Sequence, residues 1–186
     1  MDKRKVAAKK RYEAAHDELL EAGENLLSNE LLTELSLNSI TNLTKISKTT
    51  IYEHFDSFNM FLAGVINHIY KKMTTQYREK LQDDPKENIK TMFIDYREFL
   101  YKNSILGKNI YAAFVLLAGT DDFPNIDLYE DLSEALNKLG LNNNEKNVFL
   151  KKFNFSIDDF RIDISNKNRT NINLLIHDLT LYLENY

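Results

Sequence analysis

Lys48, Thr49, Thr50, Tyr52, Glu53 and His54 crowd a cation, two hydroxyls, a phenol, a carboxylate and an imidazole into seven consecutive residues. Short polar groups and a cation on one short helix can hydrogen-bond base edges in a major groove and phosphate oxygens beside it. Ser47, just before them, is a good N-cap, because its hydroxyl can accept from an otherwise unpaired amide of the first turn. The run therefore reads as a helix from Ser47 to about His54, with Ile51 and Phe55 facing inward at a spacing of four. The amides and positive dipole end at its start favour a nearby phosphate. Glu53 either accepts from a cytosine amino group or faces solvent.

Around that helix the chain must supply elements that hold it. Ser36 is another N-cap signal and opens a short helix whose expected buried residues are Leu37, Ile40 and Leu43. The tight turn from Asn42 to Ser47 has the size of a helix-turn-helix, and Ile40, Leu43, Ile46 and Ile51 can make its buried contact. Upstream, Tyr12, Ala15, Leu19, Ala22 and Leu26 form one apolar stripe on a first helix from about Lys9 to Ser28. Downstream, Ser57 caps a long fourth helix with the stripe Phe61, Val65, Ile69, Met73 and Tyr77, ending near Asp84-Pro85. Pro85 suits the first turn of a fifth helix, with Ile89, Phe93, Tyr96 and Leu100 along one side. Ser104 and Gly107 mark a break, Asn109 to Ala118 a nearly all-apolar sixth helix, and Gly119 to Asn125 a loop. A seventh helix from Ile126 to Leu139 closes at Gly140, and two more run from Asn142 to about Ser165 and from Asn168 to Asn185. No strand-like alternation persists. The expectation is an all-α chain of about nine helices, with residues 1–56 as a three-helix DNA-binding domain and 57–186 as a C-terminal helical domain.

The 186 residues are 43% hydrophobic and 28% charged, enough to bury a core without staples. With no cysteine there is no disulfide scaffold, no cysteine zinc site and no thiol nucleophile, and a reducing cytoplasm is the expected location. No secretory leader is visible and no stretch approaches the ~20 apolar residues that span a bilayer, so no membrane partner is expected. Five glycines leave little scope for a phosphate-cradling loop or a dinucleotide fingerprint, and no nucleophile elbow appears. No enzyme and no cofactor are expected.

Net charge is −4, yet residues 1–11 carry Lys3, Arg4, Lys5, Lys9, Lys10 and Arg11 against Asp2 alone, a local +5 that leaves −9 for the rest. A basic tip on an acidic body is compatible with DNA contact at one end. The tip reads either as a solvated terminus or as an arm that adds sequence-independent, salt-sensitive affinity.

The run from Leu37 to Phe55 resembles the helix-turn-helix of the TetR family of transcriptional regulators. Ser47, Lys48, Thr50, Ile51, Tyr52, His54 and Phe55 match the family's serine, lysine, small residue, threonine, aliphatic, tyrosine-x-histidine-phenylalanine pattern in order and spacing. The resemblance is specific over roughly residues 9–70 and loose beyond. It implies a homodimer with the second helix of the unit in the major groove of operator DNA. Lys48, Thr49, Thr50, Tyr52 and His54 would then touch bases or phosphates. Ser36 would meet phosphate at the first helix's start, and Ser47, opening the second, counts with the DNA-binding residues. The resemblance also implies dimerisation through the last two helices as a four-helix bundle. A small-molecule effector inside the C-terminal domain would move the fourth helix and spread the reading heads, making the chain a repressor released from a palindromic operator. Three departures carry expectations of their own. Lys45 stands where the family prefers glycine, and a non-glycine residue in a left-handed conformation costs about 1–2 kcal/mol, so a reshaped turn is expected. Thr41 and Thr44 replace small alanines, which suggests looser packing. Phe58 and Asn59 replace a lysine and a glutamate, and that lysine normally supports a phosphate contact.

Phe93, Tyr96, Phe99, Tyr111, Phe114, Phe149 and Phe153 are candidates for the wall of an effector cavity, although each alone reads equally as core. His16, His68 and His177 read as isolated histidines without a second metal ligand at helical spacing, and Asp121 and Asp122 as solvated loop acids. No metal site is expected. Two other functional readings stay open: a DNA-binding dimer regulated by a protein partner without a small ligand, and a helical interaction module that no longer binds DNA.

Overall fold

The computed structural model describes residues 3–124, 126–151, 181 and 184. Among them every regular element is helical: α1 (Lys3–Asn29), a 3-10 turn (Leu32–Glu34), α2 (Leu37–Thr44), α3 (Lys48–His54), α4 (Phe58–Arg78), α5 (Pro85–Lys102), α6 (Ser104–Leu117), α7 (Asp127–Lys138) and a further run at 143–151. The all-α expectation holds, and seven helices follow in the expected order. The eighth opens where Asn142 was expected to start it. The Asn142 side chain accepts from the amides of Asn144 and Glu145 at 2.9 and 3.1 Å, and Glu145 accepts from the Asn142 amide at 2.7 Å. This reciprocal pairing satisfies donors that a helix start otherwise strands. The rest of that helix and the expected ninth lie outside the described residues.

The chain divides into two compact units. The first holds the residues up to Ile69 together with Asn109–Pro124, and the second holds Tyr70–Lys108 together with the described residues from Ile126 onward. By their ranges, α4 and α6 each run from one unit into the other.

In the first unit α1 packs on α2, and α2 on α3. Leu19, Leu27, Ile40, Ile51, Phe61, Leu62, Val65 and Ile66 are its buried centre. Gly23 sets how closely α1 and α4 approach. A Cβ there would collide with Val65 Cγ2 and lie 2.9 Å from Phe61 Cζ. Gly64 on α4 makes room for Phe55 at the end of α3, where a Cβ would lie 2.9 Å from Phe55 Cε1. Asn109 is 2% exposed, and all of its polar atoms are used. Its amide donates to the carbonyls of Leu27 and Glu30, both at 2.7 Å, and its carbonyl accepts from the Leu32 amide at 2.8 Å. One side chain on α6 thereby satisfies the end of α1 and the start of the 3-10 turn, groups that burial would otherwise leave unpaired.

Three boundaries depart from expectation. α1 begins at Lys3 rather than near Lys9, because lysine, arginine and alanine are good helix formers and nothing between 3 and 9 breaks them. α6 begins at Ser104 rather than Asn109, because Asn103 caps it: its carbonyl accepts from the amides of Ile105 and Leu106, both at 3.1 Å. Gly107 sits inside that helix, where a single glycine weakens but does not end it. α4 ends at Arg78 rather than near Asp84, because the buried Asn88 binds both backbone groups of Gln82 at 2.8 Å and so holds the following loop out of the helix.

Of the expected stripes, those of α4 and α5 are buried in full. On α1, Leu19, Ala22 and Leu26 are buried and Tyr12 is 51% exposed. On α2, Ile40 is buried but Leu43 is 50% exposed, because Thr44, four residues from Ile40, takes the inward place.

In the second unit α5 packs on α7. Tyr70 and Tyr96 are buried with their rings stacked at 5.6 Å and their hydroxyls 2.5 Å apart. Asp131 on α7 accepts two parallel bonds from the Arg78 guanidinium, both at 2.8 Å, and a short one from the Tyr77 hydroxyl.

Candidate nucleic-acid interface

The two helices that would form the reading unit are eight and seven residues long, too short to persist without caps and a buried contact. Ser36 opens α2, where its hydroxyl accepts from the Ser39 amide at 3.2 Å and the Ser39 hydroxyl accepts from the Ser36 amide at 2.9 Å. Ser47 opens α3 and accepts from the Thr50 amide at 3.1 Å. Ile40 and Ile51 bury the contact, and Phe55 closes α3 against the core at 5% exposed.

The turn between them was expected to be reshaped by Lys45, and it is not. Lys45 adopts the left-handed conformation itself (φ 64°, ψ 5°), and its amide still donates to the Thr41 carbonyl at 2.9 Å. Its ammonium group folds back to the Asn42 carbonyl at 2.7 Å. Thr44 does not loosen the turn either. Its hydroxyl donates to the Ile40 carbonyl at 3.0 Å and accepts from the Ile46 amide at 3.1 Å, tying the end of α2 to the chain that leads into α3. Thr41 carries a buried hydroxyl with no hydrogen-bond partner among the described residues.

The structure gathers most of the sequence-derived DNA-binding residues on open surface. Ser47, Lys48, Thr49 and Tyr52 are exposed on α3 or at its start, and Ser36 is exposed at the start of α2. Thr50 is half-buried, with its hydroxyl 3.1 Å from that of Ser47. His54 is placed differently from the outward face that the sequence suggests. Its ring stacks on Tyr12 of α1 at 4.0 Å and lies 5.5 Å from the ring of His16, which in turn stacks on Phe55 at 4.9 Å. The Tyr12 hydroxyl donates to the Glu53 carbonyl at 3.3 Å, so the end of α3 is fastened to α1. The Nδ1 atoms of His16 and His54 are both buried and, among the described residues, without a hydrogen-bond partner. Burial holds the His54 pKa below the ordinary imidazole value near 6.5, nearby His16 lowers it further, and Glu53 opposes them.

Tyr12 and His16 are therefore parts of the site that sequence reasoning placed elsewhere, one as core and one as isolated. His16 and His54 lie 38 positions apart, and no local spacing connects them. An open cavity of about 360 Å³ lies beside them, lined by Tyr12, Glu13, His16 and Asp17. His68 is not isolated either, with Nε2 3.4 Å from the Glu24 carboxylate. His177 lies outside the described residues.

At the start of α4 the Ser57 hydroxyl accepts from the Met60 amide at 3.0 Å, as expected of a cap, and donates to Asp122 at 3.4 Å. Asp122 is thus a partner of that cap rather than a solvated acid, whereas Asp121 is exposed. Phe58 is half-buried, with its ring 6.2 Å from that of Phe61.

The candidate effector residues divide between the units. Phe93, Tyr96 and Phe149 are buried in the second unit, and Phe99 is half-buried there. Phe114 is buried in the first unit, with its ring 5.6 Å from Phe123, and Tyr111 is 37% exposed. Phe153 lies outside the described residues. Among the described residues no group of three or more acidic or histidine side chains could hold a metal ion, and no helix is long and apolar enough to cross a membrane.

No protein-family model matches the chain, and no curated protein matches it. Among solved structures, the chain is similar to a TetR transcriptional regulator from Rhodococcus sp. RHA1. The TM-score is 0.69 and the identity 14%, over 95% of this chain and 96% of that one. The chain shares the fold of that regulator.

Proposed function

We propose that the chain is a DNA-binding transcriptional regulator that reads its operator with α3. One observation carries this reading most: a capped seven-residue helix, anchored by Ile51 and Phe55, that leaves Lys48, Thr49 and Tyr52 exposed beside the turn of a helix-turn-helix. The shared fold of a known regulator supports it. A helix of that length and chemistry fits a major groove at its N-terminal end. His54 supports the reading surface from behind by bracing α3 on α1, whatever contact its free edge makes.

The regulator acts as a homodimer through its C-terminal helices and represses from a palindrome whose half-sites lie about one helical turn apart, roughly 34–36 Å. Residues 1–56 act as the DNA-binding domain and 57–186 as the regulatory one. A small molecule held among the buried aromatic residues of the C-terminal part, Phe93, Tyr96 and Phe149 among them, releases it by binding one conformation better than the other. A second reading, regulation by a protein partner, is favoured by the exposed apolar residues Tyr111, Val115 and Leu116 on α6. Under that reading Val115→Glu alters regulation in cells and leaves DNA affinity in vitro unchanged.

Selection of bound duplexes from random DNA tests the central reading, with an enriched palindrome as the expected result. On that palindrome Tyr52→Ala should lose about tenfold or more in affinity, since one good base contact is worth about 1–3 kcal/mol, with unfolding unchanged because Tyr52 is half exposed. Normal binding by Tyr52→Ala and Thr50→Ala would remove α3 as the reading element.

A further inference from the structure

The first nine residues of α1 are helical, carry six cations and include no buried residue, Val6 alone being half-buried. Lys3, Arg4, Lys5, Lys9, Lys10 and Arg11 are all exposed, and the first buried residue of α1 is Leu19. Packing does not explain this segment, and isolated helical turns are marginal in water. Lys5 and Lys9, one turn apart, repel each other. Glu13 offers Lys9 an exposed partner at 3.6 Å, which offsets little. Such a segment gains most from a polyanion laid along it.

Its position says which one. Tyr12 ends the basic stretch, and Tyr12 is where α1 touches α3, through the ring stack on His54 and the bond to the Glu53 carbonyl. The cations therefore leave the molecule from beside α3, within the same compact unit, and extend about 13 Å beyond that contact at 1.5 Å per residue. Acidic side chains are sparse there: up to Tyr12 the described part of α1 holds none.

We infer that residues 3–11 form a helical phosphate-binding arm. It grips the DNA backbone next to the site that α3 reads, adding affinity without sequence preference. The inference rests on DNA being the ligand of α3, and the test separates the two. Two triple variants of the full chain are measured, Lys3→Ala/Arg4→Ala/Lys5→Ala and Lys9→Ala/Lys10→Ala/Arg11→Ala. Alanine keeps the helix, so circular dichroism and the unfolding midpoint should match the parent. Binding is followed from 50 to 300 mM salt on two probes, a mixed-sequence 40-base-pair duplex and the palindrome recovered by selection.

At about 0.9 per phosphate contact, each variant should flatten the slope of log affinity against log salt by about 2 to 3 per bound chain, about 5 for the dimer, and weaken binding tenfold or more at 0.1 M salt, equally on both probes. A slope equal to the parent's on both probes overturns the arm while leaving α3 as reader. Flattened slopes with no preference for the palindrome support the arm and remove α3. A loss confined to the palindrome shows base readout and overturns the arm as proposed. No retention on either probe at 50 mM salt overturns both.

Discussion

Lys45 occupies a conformation that favours glycine, and nothing around it requires a side chain. The only described bond of its side chain, from the ammonium group to the Asn42 carbonyl, is exposed and local. Lys45→Gly relieves about 1–2 kcal/mol of left-handed strain, against which the greater freedom of glycine in the unfolded chain costs about 0.5–1 kcal/mol. The net gain should be about 0.5–1 kcal/mol in urea unfolding, and Lys45→Val should lose more than that. His54 makes a prediction about pH. Its folded pKa lies below its ordinary value, so the unfolded chain takes up the proton first as pH falls. The stability tied to neutral His54 is present above about pH 6.5 and is lost as pH falls from there toward the folded value. His54→Phe keeps a ring against Tyr12 and has nothing to titrate. The difference in unfolding midpoint between parent and variant should therefore shift in the variant's favour between pH 7.5 and 5.5. A difference independent of pH would show that the imidazole is not desolvated.

Asn109 works at the scale of elements, because one side chain joins α6, the end of α1 and the 3-10 turn. Asn109→Ala removes three bonds and strands buried carbonyls, a loss of about 3 kcal/mol in unfolding free energy. Asn109→Asp keeps the acceptor for Leu32 but repels the two carbonyls, so it should not rescue. The same residue shows why some elements were legible in the sequence and others were not. Long helices with a continuous apolar stripe, α4 and α5, announce their buried faces by period alone. Caps such as Ser36, Ser47 and Ser57 are local chemistry and could be read directly. Asn109 could not be read, because an asparagine before an apolar run looks like a cap, and its actual partners lie 77 to 82 residues away. Leu43 and Tyr12 misled for a related reason: an eight-residue helix, or the free end of a long one, has more apolar positions than neighbours to cover them. Of the site itself, the open face of α3 was legible, and the His16–His54–Tyr12 stack behind it was not.

For the whole molecule, charge and assembly decide what can be measured. Under the proposed reading, a chain of net −4 with +5 in its first eleven residues approaches DNA by that basic segment, so its association should slow steeply with added salt although the protein is acidic overall. If the chain folds as a dimer, its thermal midpoint rises with protein concentration, because dissociation accompanies unfolding. A hundredfold increase should raise it by several degrees, and an unchanged midpoint would show that folding does not require a partner copy.

Gly23 has a mechanical consequence. With Val65 and Phe61 filling the place of its missing side chain, α1 and the amino-terminal half of α4 interlock and cannot slide past one another. A tilt of that half of α4 must then be carried by α1 as by a rod. From Gly23 to Lys3 the rod is about 30 Å long, so a swing of about 5° displaces its tip by roughly 2.6 Å. Leverage of that size is comparable to a hydrogen-bond length, enough to lift a lysine off a phosphate.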